Sequence, residues 1–272
     1  MVDIFNKENI NSLEAEHIPN VSGASSRILL GACPCGSQTI RLDRLDRRPQ
    51  GTEITALDNV LPRAFYQRDA NLVAPELLGK LLVSESPEGR TAGMIVEVEA
   101  YKGSCDKGAH SYQNKRTERT KIQFGPGGFA YVFRIYGLHS CFNVVTNGKG
   151  VPDVVLVRAL EPVDGLALME QRRRCGIPAR LCNGPGKLCQ ALNISGADYG
   201  ADLLGPKLYI TPYRQIEKSE IMVSPRINID YAEECIGFPW RYFIKNSPWV
   251  SKVPGKYQAE AAPFLCEPSG IK

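Results

Sequence analysis

Glu97, Glu99 and Tyr101 stand two residues apart in the stretch IVEVEAYKGSCDKGAH (residues 95–110), and His110, one of three histidines in the chain, closes it. On an extended strand, residues i and i+2 share a face about 6.5 Å apart. Both carboxylates and the phenol can therefore line one cleft. A carboxylate beside aromatic rings can have its pKa raised, or can be held ionised to take a proton from water. The same alternation also fits a solvent-facing strand carrying a salt-bridged pair, because polar outer faces are the rule in antiparallel sheets. His110 by itself says little, since surface histidines are common.

Other residues could act with these. Tyr131, Phe133 and Tyr136 fall in a strand-like run where aromatics usually enter the core. Tyr136 differs because it precedes Gly137 at an expected hairpin tip, where a bulky ring must contact something other than its own core. Asn143 lies between Phe142 and Val144; a buried amide needs partners, and an amide can read a base edge. Basic residues, Arg119 among them, cluster in NKRTERTK (114–121), which suits either a solvated loop or a nucleic-acid backbone. Gly184-Pro185-Gly186-Lys187 opens a helix whose free N–H groups can hold a phosphate. It is no nucleotide P-loop, because Leu181 occupies the position that needs glycine.

The elements that must position these residues can be read from periodicity. APELLGKLLV (74–83) has leucines at helical spacing and a proline for a first turn. GMIVEVEAY (93–101) alternates and predicts a half-buried strand, with Val96, Val98 and Ala100 inward. Residues 125–148 predict a hairpin turning near Tyr136-Gly137, and VVLVRALEP (154–162) another strand. GLALMEQRRRC (165–175) predicts a helix with Asp164 as N-cap and Gly176 and Pro178 as its stop. A second helix runs from about Gly186 through KLCQAL. KLYI, RINIDYA after Pro225, and RYFIK complete the strands. Strands and helices do not alternate regularly, so an α+β domain with a curved, mostly antiparallel sheet fits better than a doubly wound one.

Composition bounds the rest. The 272 residues carry a net charge of +4, with 43% hydrophobic and 23% charged side chains, as in ordinary soluble proteins. No apolar run reaches the roughly 20 residues that a membrane helix needs. The first 20 residues lack an apolar segment and contain Asp3, Glu8, Glu14 and Glu16, which argues against a secretory signal or transit peptide. Nine scattered cysteines read as reduced thiols of a cytosolic or nuclear protein. Cys33 and Cys35 form a CPC pair without a second pair at metal-finger spacing. The expected organisation is a disordered tail over 1–58, a folded domain over 59–254 and a C-terminal tail over 255–272. The arginines of RLDRLDRRPQG (41–51) are read as a nuclear address, a loose nucleic-acid contact or a solvated linker.

Taken in order, IVEVEAY, AHS (109–111), GPGGFAYVFRIYGLH, FNVV, LVRALEP, NGPGKLCQAL and SPWVS (247–251) resemble the alkyladenine, or methylpurine, DNA glycosylase family over about residues 59–252. The resemblance implies a single mixed α/β domain with a curved antiparallel sheet. It implies a monofunctional glycosylase that flips alkylated or deaminated purines out of double-stranded DNA and hydrolyses the N-glycosidic bond. Neither a metal nor an organic cofactor is implied, and the enzyme is expected to be a monomer in the nucleus. By this resemblance Glu99 is the general base and Glu97 its support. Tyr101, His110 and Phe133 pack against the extruded base, with Phe133 standing where tyrosine is frequent. Asn143 disfavours the amino group of guanine, and Tyr136 wedges into the duplex. Arg119, Arg158 and Lys187 lie near the DNA backbone. Gln123 and Gly125 fall where bulky residues approach the opposite strand, and Asn228 replaces a frequent glycine. Two other readings compete: a glycoside hydrolase using Glu97 and Glu99 as an acid–base pair, and a non-catalytic module that binds damaged DNA.

Overall fold

The structure, a computed structural model, describes residues 59–135, 137–251 and 262–263. Its centre is a nine-stranded sheet, antiparallel at every pairing, in which β3 (Ala130–Ile135), β4 (His139–Val145), β5 (Val154–Asp164), β2 (Gly89–Tyr101), β8 (Arg241–Ile244), β7 (Ile221–Ser224) and β9 (Ala262–Pro263) lie in that order. β1 (Leu81–Ser86) pairs with the first half of β2, and β6 (Leu208–Thr211) pairs with β1. Four short helices, α1 (Arg63–Tyr66), α2 (Ala70–Leu77), α3 (Leu166–Arg173) and α4 (Pro185–Ala191), complete the α+β domain.

The apolar face of the sheet makes the core. Val96, Val98 and Ala100 of β2, with Val155, Val157 and Ala159 of β5, pack against Val73, Ala74 and Leu77 of α2 and against Leu188 and Ala191 of α4. β2 is not half-buried, however. Thr91 to Ala100 are all buried, the two glutamates included. The strand is central, flanked by β5 on one edge and by β1 and β8 on the other, and its polar face is roofed by the segment 225–237 rather than left to water. Alternation reports two chemically different faces, and it does not report which of them is wet.

Other boundaries moved for local reasons. The expected helix over 74–83 is α2 over Ala70–Leu77, begun by the Asp69 carboxylate, which accepts from Asn71 N at 2.9 Å; Pro75 sits inside it. It ends before Gly79, whose φ of 79° suits glycine and whose missing Cβ would meet Arg214 O at 2.3 Å. Leu81 and Leu82 then open β1 instead of continuing the helix. Asp164 does not cap α3; it ends β5, accepts from Gly165 N, and leaves Gly165 as N-cap at φ 74°. That helix stops at Arg174 in the left-handed region, before Gly176 is reached. RINIDYA is not a strand. β7 precedes it, and the chain turns at Asn228, whose φ of 60° explains why asparagine can replace glycine there. Of residues 255–272 only Ala262–Pro263 are described, paired with β7. Residues 1–58, with Cys33, Cys35 and the 41–51 arginines, lie outside the described residues. The six cysteines among the described residues are unpaired.

Candidate active site

Strand register assembles the site. Tyr131 lies opposite Asn143, Asn143 opposite Leu156, Leu156 opposite Glu99, and Glu99 opposite Arg241. Directly paired residues point to the same side, so this row crosses five strands on one face, with about 4.8 Å per step. Tyr101, Glu97, Arg158 and Phe133 sit two residues along from members of the row and share that face. A linear sequence separation of up to 144 residues, that of Glu97 and Arg241, thus collapses into one surface.

Glu99 is fully buried and receives three donors. Its Oε2 accepts from Tyr101 Oη at 2.8 Å and from Arg158 Nη1 at 3.2 Å, and its Oε1 accepts from the backbone N–H of Ile227 at 2.8 Å. Such a carboxylate is fixed in rotation, as a group that must meet a reacting atom in one orientation needs to be. Burial, and next the charge of Glu99, raise the pKa of the Tyr101 hydroxyl, so it stays a donor. The other side of Tyr101 rests on Arg226, whose guanidinium lies 4.5 Å over the ring and 5.0 Å over Trp240. Arg226 is itself buried, paired through both terminal nitrogens with Asp106, and donates to Ala100 O at 3.1 Å.

The ring half of the site is built differently. His110 Nδ1 lies 2.8 Å from Tyr131 Oη and its Nε2 3.0 Å from Arg119 Nη2. A guanidinium can only donate, so Nε2 accepts and the proton of the neutral ring is assigned to Nδ1. Burial, helped by the charge of Arg119, lowers the His110 pKa to about 4. Phe133 meets His110 edge-on with centroids 4.6 Å apart and lies 5.3 Å from Tyr131. Arg119 stacks 4.7 Å over the Phe133 ring. Beyond it, along the β3 edge, a groove of about 530 Å3 is lined by Arg119, Lys121, Phe133, Arg134 and Tyr199. Asn143 is buried and donates from Nδ2 to Tyr131 O at 3.0 Å. Cys141 is buried opposite Phe133, and desolvation pushes its thiol pKa up to about 11.

Several expected placements change. Arg158 is not at the surface near a DNA backbone: it is 8% exposed and lies between Glu97 and Glu99 as a buried counter-ion. Gln123, at a position where relatives carry bulky residues, is buried at 1% exposed. Arg119 touches the rings of the site rather than standing free in a basic loop. Lys187 begins α4 as expected and donates to Asn183 Oδ1 at 2.8 Å. Tyr136 lies outside the described residues; the hairpin around it does turn, with Ile135 paired to His139, Gly137 at φ 70° and Leu138 83% exposed. Sequence reasoning missed Leu138, Asp106, Arg226 and the Ile227 N–H. A large aliphatic beside a tip glycine was a usable signal for Leu138; nothing in the spacing signals the others. Among the described residues, no group of three or more His, Cys, Asp or Glu side chains could hold a metal, and no helix is long and apolar enough to cross a membrane.

One buried carboxylate is held by a phenol, a guanidinium and a backbone N–H beside a ring-bearing surface, an arrangement chemically able to take a proton from water. The sequence pattern of the methylpurine-DNA glycosylase family matches residues 64–248. A protein of Bacillus cytotoxicus assigned as a 3-methyladenine DNA glycosylase is 50% identical over 201 residues, covering 70% of this chain and 98% of that protein. Counterparts from Alkaliphilus oremlandii, 49% identical over 71% of this chain and 98% of theirs, and Desulfitobacterium hafniense, 48% identical over 70% and 98%, carry the same assignment. The chain belongs to the methylpurine-DNA glycosylase family, hydrolases of N-glycosyl bonds in DNA.

Proposed function

We propose that Glu99 is the general base of a monofunctional glycosylase that acts as a monomer on alkylated and deaminated purines flipped out of duplex DNA. A water oxygen attacks C1′ of the damaged nucleotide while its proton passes to Glu99. The C1′–N bond breaks, and its electron pair leaves with the purine. The products are the free base and an abasic sugar, the entry point of base excision repair. A base inside the duplex is out of reach, so extrusion must precede attack. Tyr136 at the hairpin tip is the wedge that offsets the unstacking cost. Tyr101, His110 and Phe133 receive the base, Asn143 screens its edge, and Arg119 and Lys187 meet the strand. Stacking tolerates many bases at about 1–3 kcal/mol each, and alkylation improves both stacking and leaving-group ability. Little beyond a base and a ring-lined socket is then needed.

The observation that carries this reading is that Glu99, on the site face, accepts from the Tyr101 phenol, Arg158 and the Ile227 N–H, with its carboxylate beside the ring surface. It also disfavours the two-carboxylate alternative. Glu97 and Glu99 are neighbours on one face of one strand, not groups that flank a sugar, and both Glu97 oxygens are occupied by Arg241 and Ser251. Glu99→Gln should bind a methylated-purine duplex with near wild-type affinity and lose base release by about 10²-fold or more. Gel shift and single-turnover release, run side by side, check this; release within a few fold of wild type would refute the assignment.

A further inference from the structure

Glu97 is a buried acid on the site face that the hydrolytic step does not use. Its Oε1 accepts from Arg241 Nε at 2.7 Å and from Ser251 Oγ at 3.0 Å, and its Oε2 from Ser251 N at 2.7 Å. Arg158 stands between the two glutamates, with Nε 3.5 Å from Glu97 Oε1 and Nη1 3.2 Å from Glu99 Oε2. Nε of Arg158 makes no hydrogen bond, so its tie to Glu97 is charge alone, while its tie to Glu99 is a hydrogen bond. Two carboxylates and two guanidiniums are therefore buried together, and their formal charges cancel.

We propose that Glu97 is a positioning residue for Glu99: it takes up Arg241 and shares Arg158 with Glu99, so that the charge balance beside the base depends on it. The proposal rests on the reading of Glu99 as the base. A cation within a few ångströms favours an ionised carboxylate, and a carboxylate held too firmly ionised is a poor base. Without the charge of Glu97, Arg241 would lose its carboxylate and Arg158 would be left with Glu99 alone. The other titratable and charged groups around Glu99 are Tyr101 on β2, Cys141 on β4, Arg226 after β7, Asp106 after β2, Tyr231 and Arg119. None of these is altered by changing Glu97. His110 bonds to Tyr131 and Arg119 instead, so its own titration should stay in place.

The test is the pH dependence of single-turnover base release, measured on a methylated-purine duplex whose charge is constant through the acid range. Glu97→Gln keeps the side-chain shape and gives the cluster one net positive charge. Its acid limb should move down by about one pH unit or more, and its plateau rate should fall roughly fivefold. Arg241→Gln leaves one net negative charge and should move the limb up. The double variant restores neutrality and should return the limb toward wild type, which a merely structural defect would not do. Arg241→Gln keeps the test alive if Glu97→Gln fails to fold, since its shift has the opposite sign. Wild-type limbs in all three variants overturn the role of Glu97. If Glu99→Gln is inactive at the same time, only this proposal falls; if Glu99→Gln stays active, the assignment of the base falls with it.

Discussion

The two halves of the site face obey different rules. Where β2 meets β5 and β8, both glutamates of β2 are buried and hold several donors, and five charged side chains interlock: Glu97, Glu99, Arg158, Arg241 and, through the Tyr101 ring, Arg226. Around β3, β4 and the 110–119 loop the contacts are made mainly by rings, with Arg119 as the cation among them, and run as single links, as in the Arg119–His110–Tyr131 series. On the proposed reading, rigidity lies where one carboxylate must point at one atom, and adaptable stacking lies where differently modified rings must fit. Electrostatic preorganisation makes the first half unforgiving, whereas the second half should lose function in small steps.

The sharpest way to break this contrast is to open the charged half from beneath. Asp106→Ala leaves Arg226 buried without its partner carboxylate, and removal of one member of a buried pair typically costs 3–5 kcal/mol. For a domain of this size the melting temperature should fall by about 10 °C, and base release should fall with it because Tyr101 loses its support. Glu220→Ala, which cuts the exposed pair with Arg214, should shift melting by only a degree or two. Equal shifts for the two, read by calorimetry, would show that the buried half is no more demanding than the surface.

This contrast also decides what could be read from the sequence. The ring half was legible: hairpin, tip, aromatic alternation and the β3–β4 pairing follow from period-two patterning and a glycine, all within about 20 residues. The α+β class and the strands at 154–164, 208–211 and 241–244 were legible for the same reason. In the charged half Glu97 and Glu99 stood out, but their surroundings did not. Arg226, Ile227, Arg241 and Ser251 lie more than 120 residues from them, and each is placed by tertiary closure of the sheet. Arg158 illustrates the cost. An arginine in an apolar strand was assigned by resemblance to the DNA backbone, whereas its place beside two buried acids is visible only once β2 and β5 are paired. The short helices failed at their ends because Gly79 and Gly165 answer to neighbouring segments of the chain, not to helical period. The nuclear expectation rests on residues outside those described, and the relatives named above are bacterial.

Changes in the ring half should be milder. Phe133→Ala removes one stacking surface and the seat of Arg119 while leaving the acid cluster untouched. Loss of about 1–3 kcal/mol of stacking corresponds to roughly 5- to 150-fold weaker lesion binding. Melting should be nearly unchanged, because the ring is only partly buried. A loss confined to the catalytic rate, with lesion affinity intact in titration, would place Phe133 with the chemical half and erase the division.

The smallest expected effect concerns His110 and acid. Unfolded, its imidazole takes up a proton near 6.5; folded, burial and the neighbouring Arg119 hold it off until about 4. Between those values the unfolded chain binds more protons, so folding stability is complete above about 6.5 and declines as the pH falls toward 4. Protonation would also turn Nε2 from acceptor to donor against a guanidinium that can only donate. His110→Asn removes the titrating group. Melting temperature recorded from pH 7 to pH 4 should then fall less steeply than in wild type, with the two curves diverging only below about 6.5. Parallel curves would mean that the ring titrates alike in both states, and that the Arg119–His110–Tyr131 contact is too loose to hold a proton off.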